Sequence, residues 1–285
     1  MLGKLLKYEF MAEWKKYMII FGGMLFLALS MLILNKGFMD SDNYIVETAF
    51  GLVLGAFVML CMFALFIVFV FSTIRFYKNI FRDEGYLMNT LPCTAGEHLA
   101  SKIISTYVWS AATVVVIFLS IGIASGDFTW PAKIMEGFWE VFEMEEMTSA
   151  EMKEFAFVKE FFGGLTMYMV ITLVLSPLLY QIYLNFCIAI GSLFNTHKIL
   201  MAVVTFVGVN IVSQVISTVA MFIMGYAEID ALMEQTAETN FDEYMGYMIN
   251  YMNGIYIFTG VFCVIMYGAM LWATHFIMSK KLNLA

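Results

Sequence analysis

Charged residues are scarce in this sequence, at 13% of the chain, whereas a soluble domain has about 25%. Hydrophobic residues instead make up 62% and aromatic residues 17%. The six long apolar runs exclude an ordinary soluble domain and predict an all-α polytopic membrane protein. The net charge of −8 is then less informative than the position of each charge, and we expect no nucleic-acid partner.

Cysteine and proline are also rare, with four and three residues respectively. Cys61, Cys187 and Cys263 lie inside apolar runs, and Cys93 lies in a polar loop. These positions do not form the pattern of a disulfide framework. We interpret the cysteines as small hydrophobic residues.

Catalytic motifs are missing: there is no Walker A pattern, Gly-rich dinucleotide fingerprint, His-Glu-x-x-His or Cys-x-x-Cys. The histidines at positions 98, 197 and 275 show no shared ligand spacing. We therefore predict no catalytic, cofactor-binding or metal site in this chain. It is not expected to be an enzyme.

The apolar runs predict six transmembrane helices in a single domain, since a span needs about 20 residues. The predicted spans cover about residues 17–34, 44–73, 103–124, 165–194, 199–225 and 254–278. Before them, Leu2, Leu6, Phe10 and Trp14 repeat every four residues. Residues 1–16 are therefore predicted to form an interfacial elbow helix, with its apolar side at the headgroup boundary.

Eleven of the fifteen basic residues fall on one side of these spans. They are Lys4, Lys7, Lys15, Lys16, Arg75, Lys78, Arg82, Lys102, Lys198, Lys280 and Lys281. Eighteen of the 23 acidic residues fall on the other side. The basic side is predicted to be cytoplasmic. Both termini are then inside, and two acidic inserts, residues 125–164 and 226–253, are outside.

The longest basic interruption of the apolar pattern is the loop 75–92. Within it, Phe76, Tyr77, Ile80 and Phe81 share one face of a short helix that Gly85 can end. A capping box from Thr94 to Glu97 then predicts the start of the next helix. Such an amphipathic helix suits contact with a soluble partner. The alternative is a solvated loop resting on lipid headgroups.

Two predicted spans carry uncharged polar stripes. The first is Gln181 and Asn185; the second is Asn210, Ser213, Gln214 and Ser217. A buried amide must be hydrogen-bonded in a membrane, so these faces are predicted to meet another helix or a wet cavity. Interhelical hydrogen bonding and a substrate pathway both fit the pattern. No predicted span has an acidic or basic residue at mid-membrane, which argues against a proton- or sodium-coupled pump.

Two stretches resemble the type-2 family of bacterial ATP-binding-cassette exporter permeases. Leu5-Leu-Lys-Tyr-Glu-Phe10 resembles the elbow of that family. Phe76-Tyr-Lys-Asn-Ile-Phe-Arg-Asp-Glu-Gly-Tyr-Leu-Met-Asn-Thr-Leu-Pro92, followed by Glu97-His-Leu-Ala-Ser-Lys102, resembles its loop between the second and third spans. The residues that match the family's coupling helix are Phe76, Tyr77, Lys78, Ile80, Phe81, Arg82, Glu84 and Gly85.

The resemblance implies a permease without an ATPase site of its own, in the bacterial cytoplasmic membrane. Its implied partners are a second permease, identical or related, and two copies of an ATPase subunit that bind ATP-Mg. Together with the uncharged stripes, it predicts export of an amphipathic or apolar substrate. The alternative is a non-transport membrane protein, such as an immunity or sensor subunit that uses the acidic inserts.

Overall fold

A computed structural model describes residues 2–38, 44–81, 93–140, 149–194, 196–234 and 241–280. The described residues form seven helices. They are α1 (Leu2–Phe38), α2 (Tyr44–Phe81), α3 (Ala95–Ser125), α4 (Trp130–Glu140), α5 (Ser149–Ser192), α6 (Lys198–Glu234) and α7 (Phe241–Lys280). All except α4 are long and apolar enough to cross a membrane. The predicted class is confirmed: the chain is an all-α, multi-pass membrane protein with six such helices.

The chain divides into two compact units, residues 1–143 and 144–285. In the first, α1 packs against α2 and α3, and α2 packs against α3. In the second, α5 packs against α6 and α7, and α6 packs against α7. Each unit therefore contains three long helices in mutual contact.

Buried residues of α1 recur every three or four positions, as expected for a helix that is packed along its length. It consists of Leu5, Glu9, Glu13, Tyr17, Phe21, Met24, Ala28 and Met31. This differs from the apolar stripe predicted for the elbow, since Trp14 is 47% exposed. Residues 2–16 are also continuous with the rest of α1. Their interfacial location stays a prediction.

The second helix continues beyond its predicted end. We expected a span that stops near Thr73 and a separate short helix from Phe76 to Gly85, but α2 runs unbroken to Phe81. Glycine and proline are absent between Thr73 and Phe81, so no helix-breaking residue interrupts the backbone. The prediction of a break was wrong because it treated Arg75 as the end of the buried region.

Local signals define several helix ends. Thr94 caps α3: its hydroxyl accepts from Glu97 N at 3.2 Å, and its own N–H donates to Glu97 at 3.0 Å. The predicted capping box is confirmed. Asp127 accepts from Lys133 at 2.5 Å and holds the turn that leads into α4. That hydrogen bond, with two more from Thr129, lowers the pKa of the Asp127 carboxyl.

A close approach fixes the hairpin between α5 and α6. A Cβ at Gly191 would lie 2.6 Å from the backbone oxygen of Lys198 and 2.8 Å from the side chain of Ala202. Any larger residue would therefore push the two helices apart. This contact holds α6 beside the polar part of α5.

Candidate functional site

A buried charge cluster joins the three long helices of the first unit. Glu9 of α1 forms ion pairs with two cations: its Oε2 lies 2.7 Å from Nε of Arg75 on α2, and its Oε1 lies 2.5 Å from Nζ of Lys102 on α3. Glu9 and Lys102 are each 3% exposed. The Glu9 carboxylate therefore bridges α2 and α3, the helices that precede and follow residues 82–92 in the chain.

Glu13 completes this charge cluster one helical turn further along α1. Its Oε1 lies 4.0 Å from Nε of Arg75, and Ser105 Oγ donates to its Oε2 at 3.4 Å. Two carboxylates thus face two cations, and their formal charges cancel. This balance matters because an unpaired buried charge costs several kcal/mol.

An apolar layer lies next to the charge cluster along the same helices. Tyr17, one turn beyond Glu13, is fully buried, and its ring centre lies 4.5 Å from that of Trp109. Phe21 and Val68 belong to the same group. Nearby, the hydroxyl groups of Ser72 and Thr106 hydrogen-bond between α2 and α3. These contacts place a tightly packed apolar layer beside the ion pairs.

The residues predicted to contact an ATPase lie at the end of α2. Phe76, Ile80 and Phe81 are 0%, 3% and 3% exposed, so the predicted apolar docking face is already buried within the described structure. Tyr77 is half-buried and Lys78 is exposed. The remaining predicted contacts, Arg82, Glu84 and Gly85, lie outside the described residues. The partner-contact role of the whole set stays a prediction.

The Gln181–Asn185 stripe forms a buried amide pair on α5. Gln181 Nε2 donates to Asn185 Oδ1 at 2.8 Å, and both side chains are 0% exposed. Gln181 Oε1 and Asn185 Nδ2 find no hydrogen-bond partner within the described ranges. The sequence correctly indicated that these amides avoid lipid, and part of their hydrogen-bonding capacity is unused.

The four residues of the stripe predicted on α6 do not all lie in the same environment. Asn210 Nδ2 donates to Tyr183 Oη at 2.5 Å and to the Phe206 carbonyl at 2.8 Å. Ser213 Oγ lies 2.7 Å from the Val209 carbonyl and 3.5 Å from Met266 Sδ. Asn210 therefore links α6 to α5, as the hydrogen-bonding interpretation expects.

The other two members of that stripe lie elsewhere. Gln214 is exposed and Ser217 is half-buried, and neither lines the cavity beside Asn210. That cavity, of about 200 Å³, lies among α5, α6 and α7 and includes Asn210, Ser213 and Tyr183. Tyr183 was not predicted from the sequence, because a tyrosine inside an apolar run is counted as hydrophobic.

The charge cluster was not predicted from the sequence, in which Arg75 and Lys102 count only as basic residues of the predicted cytoplasmic side. Its acidic members are Glu9 and Glu13. Their spacing of four residues was the available signal, because it puts both carboxylates on one helix face. Among the described residues, no group of three His, Cys, Asp or Glu side chains could hold a metal ion.

Comparisons with protein-family models, with curated proteins and with solved structures gave no match for this chain. The charge cluster of the first unit and the polar groups of the second unit are the features of this chain that bear on its function.

Proposed function

We propose that this chain is the membrane-spanning permease subunit of an ATP-binding-cassette exporter in the bacterial cytoplasmic membrane. It would pair with a second permease, identical or related, and with two ATPase subunits that bind ATP-Mg. Its substrate is amphipathic or apolar. The six apolar helices support a multi-pass membrane protein, and the sequence resemblance to type-2 permeases supports the transport role.

The observation that carries the proposal is the bridge made by Glu9. Arg75 lies six residues before the end of α2, and Lys102 lies in the second turn of α3. The predicted ATPase contact, residues 76–85, begins near the end of α2 and continues into the segment between these helices. A displacement of that segment would be passed through the two ion pairs to α1. The charge cluster is thus suited to transmit movement from a partner to all three helices.

The same ion pairs favour an external energy source. An ion-coupled transporter needs an ionisable group that gains and loses a proton or cation along the pathway. Glu9 and Glu13 are instead engaged by Arg75, by Lys102 and by the Ser105 hydroxyl. Energy from ATP hydrolysis in separate subunits fits this arrangement better.

Co-purification tests the proposal directly. An affinity tag on this chain, expressed together with its neighbouring reading frames and extracted in mild detergent, should recover a Walker A-containing ATPase. Equal numbers of permease and ATPase subunits are expected. In vesicles, this complex should hydrolyse ATP, and the Glu→Gln variant of the ATPase catalytic base serves as the control.

Recovery of the chain without any ATPase would contradict the exporter function. Association of the tagged chain with an extracellular ligand through its acidic inserts would then favour the immunity or sensor alternative. Ligand association measured on intact cells separates the exporter function from the immunity or sensor function, because the latter requires no ATP.

A further inference from the structure

The cavity of the second unit has a chemical character that the exporter proposal does not specify. Its volume is about 200 Å³, and it lies between Tyr183 of α5, Asn210 of α6 and Met266 of α7. None of its described lining residues is an Asp, Glu, Lys, Arg or His. The cavity therefore disfavours a charged ligand group, which would lose its hydration without a counter-charge.

The hydrogen bonds around the cavity leave acceptors for a ligand. Asn210 Nδ2 donates to Tyr183 Oη and to the Phe206 carbonyl, which leaves Oδ1 as the atom of that side chain that can accept from a ligand. Tyr183 has committed its hydroxyl hydrogen to the Phe206 carbonyl, at 2.5 Å. Ser213 directs its hydrogen to Val209 or Met266. Asn210 Oδ1 can therefore accept an N–H or O–H of a ligand, whereas the hydroxyl groups of Tyr180 and Tyr267, which also line the cavity, can donate or accept.

The rest of the lining favours a flat ring. Phe206, Phe262 and Met266 contribute aromatic faces and a thioether, which pack well against an aromatic ring. An apolar cavity of about 150 Å³ binds benzene, whereas pockets for drug-sized ligands start near 300 Å³. A volume of about 200 Å³ thus fits one ring system with a small polar group.

We propose that the Tyr183–Asn210–Met266 cavity binds an uncharged aromatic ring that carries a hydrogen-bond donor, of the size of indole or phenol. The ring can be a free small molecule or an aromatic side chain of a larger amphiphile. A lipid acyl chain is disfavoured, because it would leave the acceptor of Asn210 unpaired. This inference does not depend on the chain being an exporter.

Cys263 lines the cavity and provides a reporter. In a variant whose other cysteines, Cys61, Cys93 and Cys187, are replaced by alanine, the modification rate of Cys263 by N-ethylmaleimide is measured in nanodiscs. Indole should slow the reaction at least fivefold at saturation. 1-Methylindole has the same ring without the donor and should bind about fivefold more weakly, the effect of one neutral hydrogen bond. Dodecane stands in for an acyl chain and should give no protection.

Side-chain variants identify the acceptor. Asn210→Leu should remove the preference for indole over 1-methylindole, whereas Gln214→Leu, an exposed position on the same helix, should retain it. If Asn210→Leu does not fold, Ser213→Ala is measured instead and should reduce the preference. N-acetyltryptophanamide carries the indole ring as an amino-acid side chain. Its protection of Cys263, compared with that of indole, tests whether the cavity binds an aromatic side chain or a free ring. Equal protection by indole and 1-methylindole, protection by dodecane, or no protection by any ring would overturn the proposal.

Discussion

Nζ of Lys102 lies 2.5 Å from Oε1 of Glu9, with both side chains at most 4% exposed. This ion pair joins the first helix of the chain to the third, across 93 positions of sequence. A buried pair of this kind is weak support for stability by itself, but breaking it is costly because the remaining charge stays buried. Removal of either Glu9 or Lys102 alone is therefore expected to disturb the packing of α1 against α3.

We expect Lys102→Met to destabilise the first unit by about 3–5 kcal/mol, since it removes one of the two cations paired with Glu9 and Glu13. Thermal unfolding of the purified chain in detergent measures the effect. Lys78→Met is the matched control, because Lys78 is exposed and its loss should change stability by less than about 0.5 kcal/mol.

Restoring the charge balance should recover much of that loss. In Glu9→Leu with Lys102→Met, one charge of each sign is removed and Arg75 remains beside Glu13. The double variant is therefore expected to be more stable than Lys102→Met. If the stability lost by the double variant, relative to the wild type, equals the sum of the losses in the two single variants, the two residues do not interact energetically.

The sequence predicted the elements of the fold well where local signals decide them. The six apolar runs and the Thr94 cap both follow from residues close together in the chain. The charge cluster was not predicted, because the partner that allows Arg75 inside a helix is Glu9, on a different helix. Likewise, the cavity arises from three helices whose side chains meet only after packing. The sequence stripe could identify Asn210, but not Tyr183 as its partner.

Topology is the second prediction. With the four native cysteines replaced, Ala132→Cys should react with an impermeant thiol reagent on intact cells, because residues 125–164 are predicted to be outside. Thr196→Cys lies in the hairpin predicted to be inside and should react only after lysis. Both positions are exposed, so access to the reagent depends on the side of the membrane. The reverse pattern would place both chain termini outside.

The buried amide pair gives a third prediction. Asn185→Leu alone leaves Gln181 without its acceptor, and we expect a loss of about 1–3 kcal/mol. The double variant Gln181→Leu with Asn185→Leu removes both polar groups and should be close to the wild type in thermal stability. Gln214→Leu, at an exposed position, is the control. A double variant that keeps its stability but loses transport would instead assign the pair to the substrate pathway.

The last prediction concerns the end of α2, where stability and partner binding have to be separated. Phe81 is 3% exposed, and its ring lies 5.8 Å from that of Phe76. Phe81→Ala should therefore cost about 3–5 kcal/mol of stability before any partner is involved, so reduced ATPase binding by this variant says little about docking.

Tyr77 is the better probe of the ATPase contact, because it is half-buried and lies beside the exposed Lys78. If this face docks into an ATPase subunit, Tyr77→Ala should weaken that binding by about 2 kcal/mol, or roughly thirtyfold, as expected for an aromatic anchor. Lys78→Gln should have a much smaller effect, since exposed charges contribute about 0–1 kcal/mol. Binding is measured with purified ATPase in nanodiscs, and thermal stability is measured on the same samples. Normal ATPase affinity and normal substrate-stimulated hydrolysis in Tyr77→Ala would show that this end of α2 is not the coupling element.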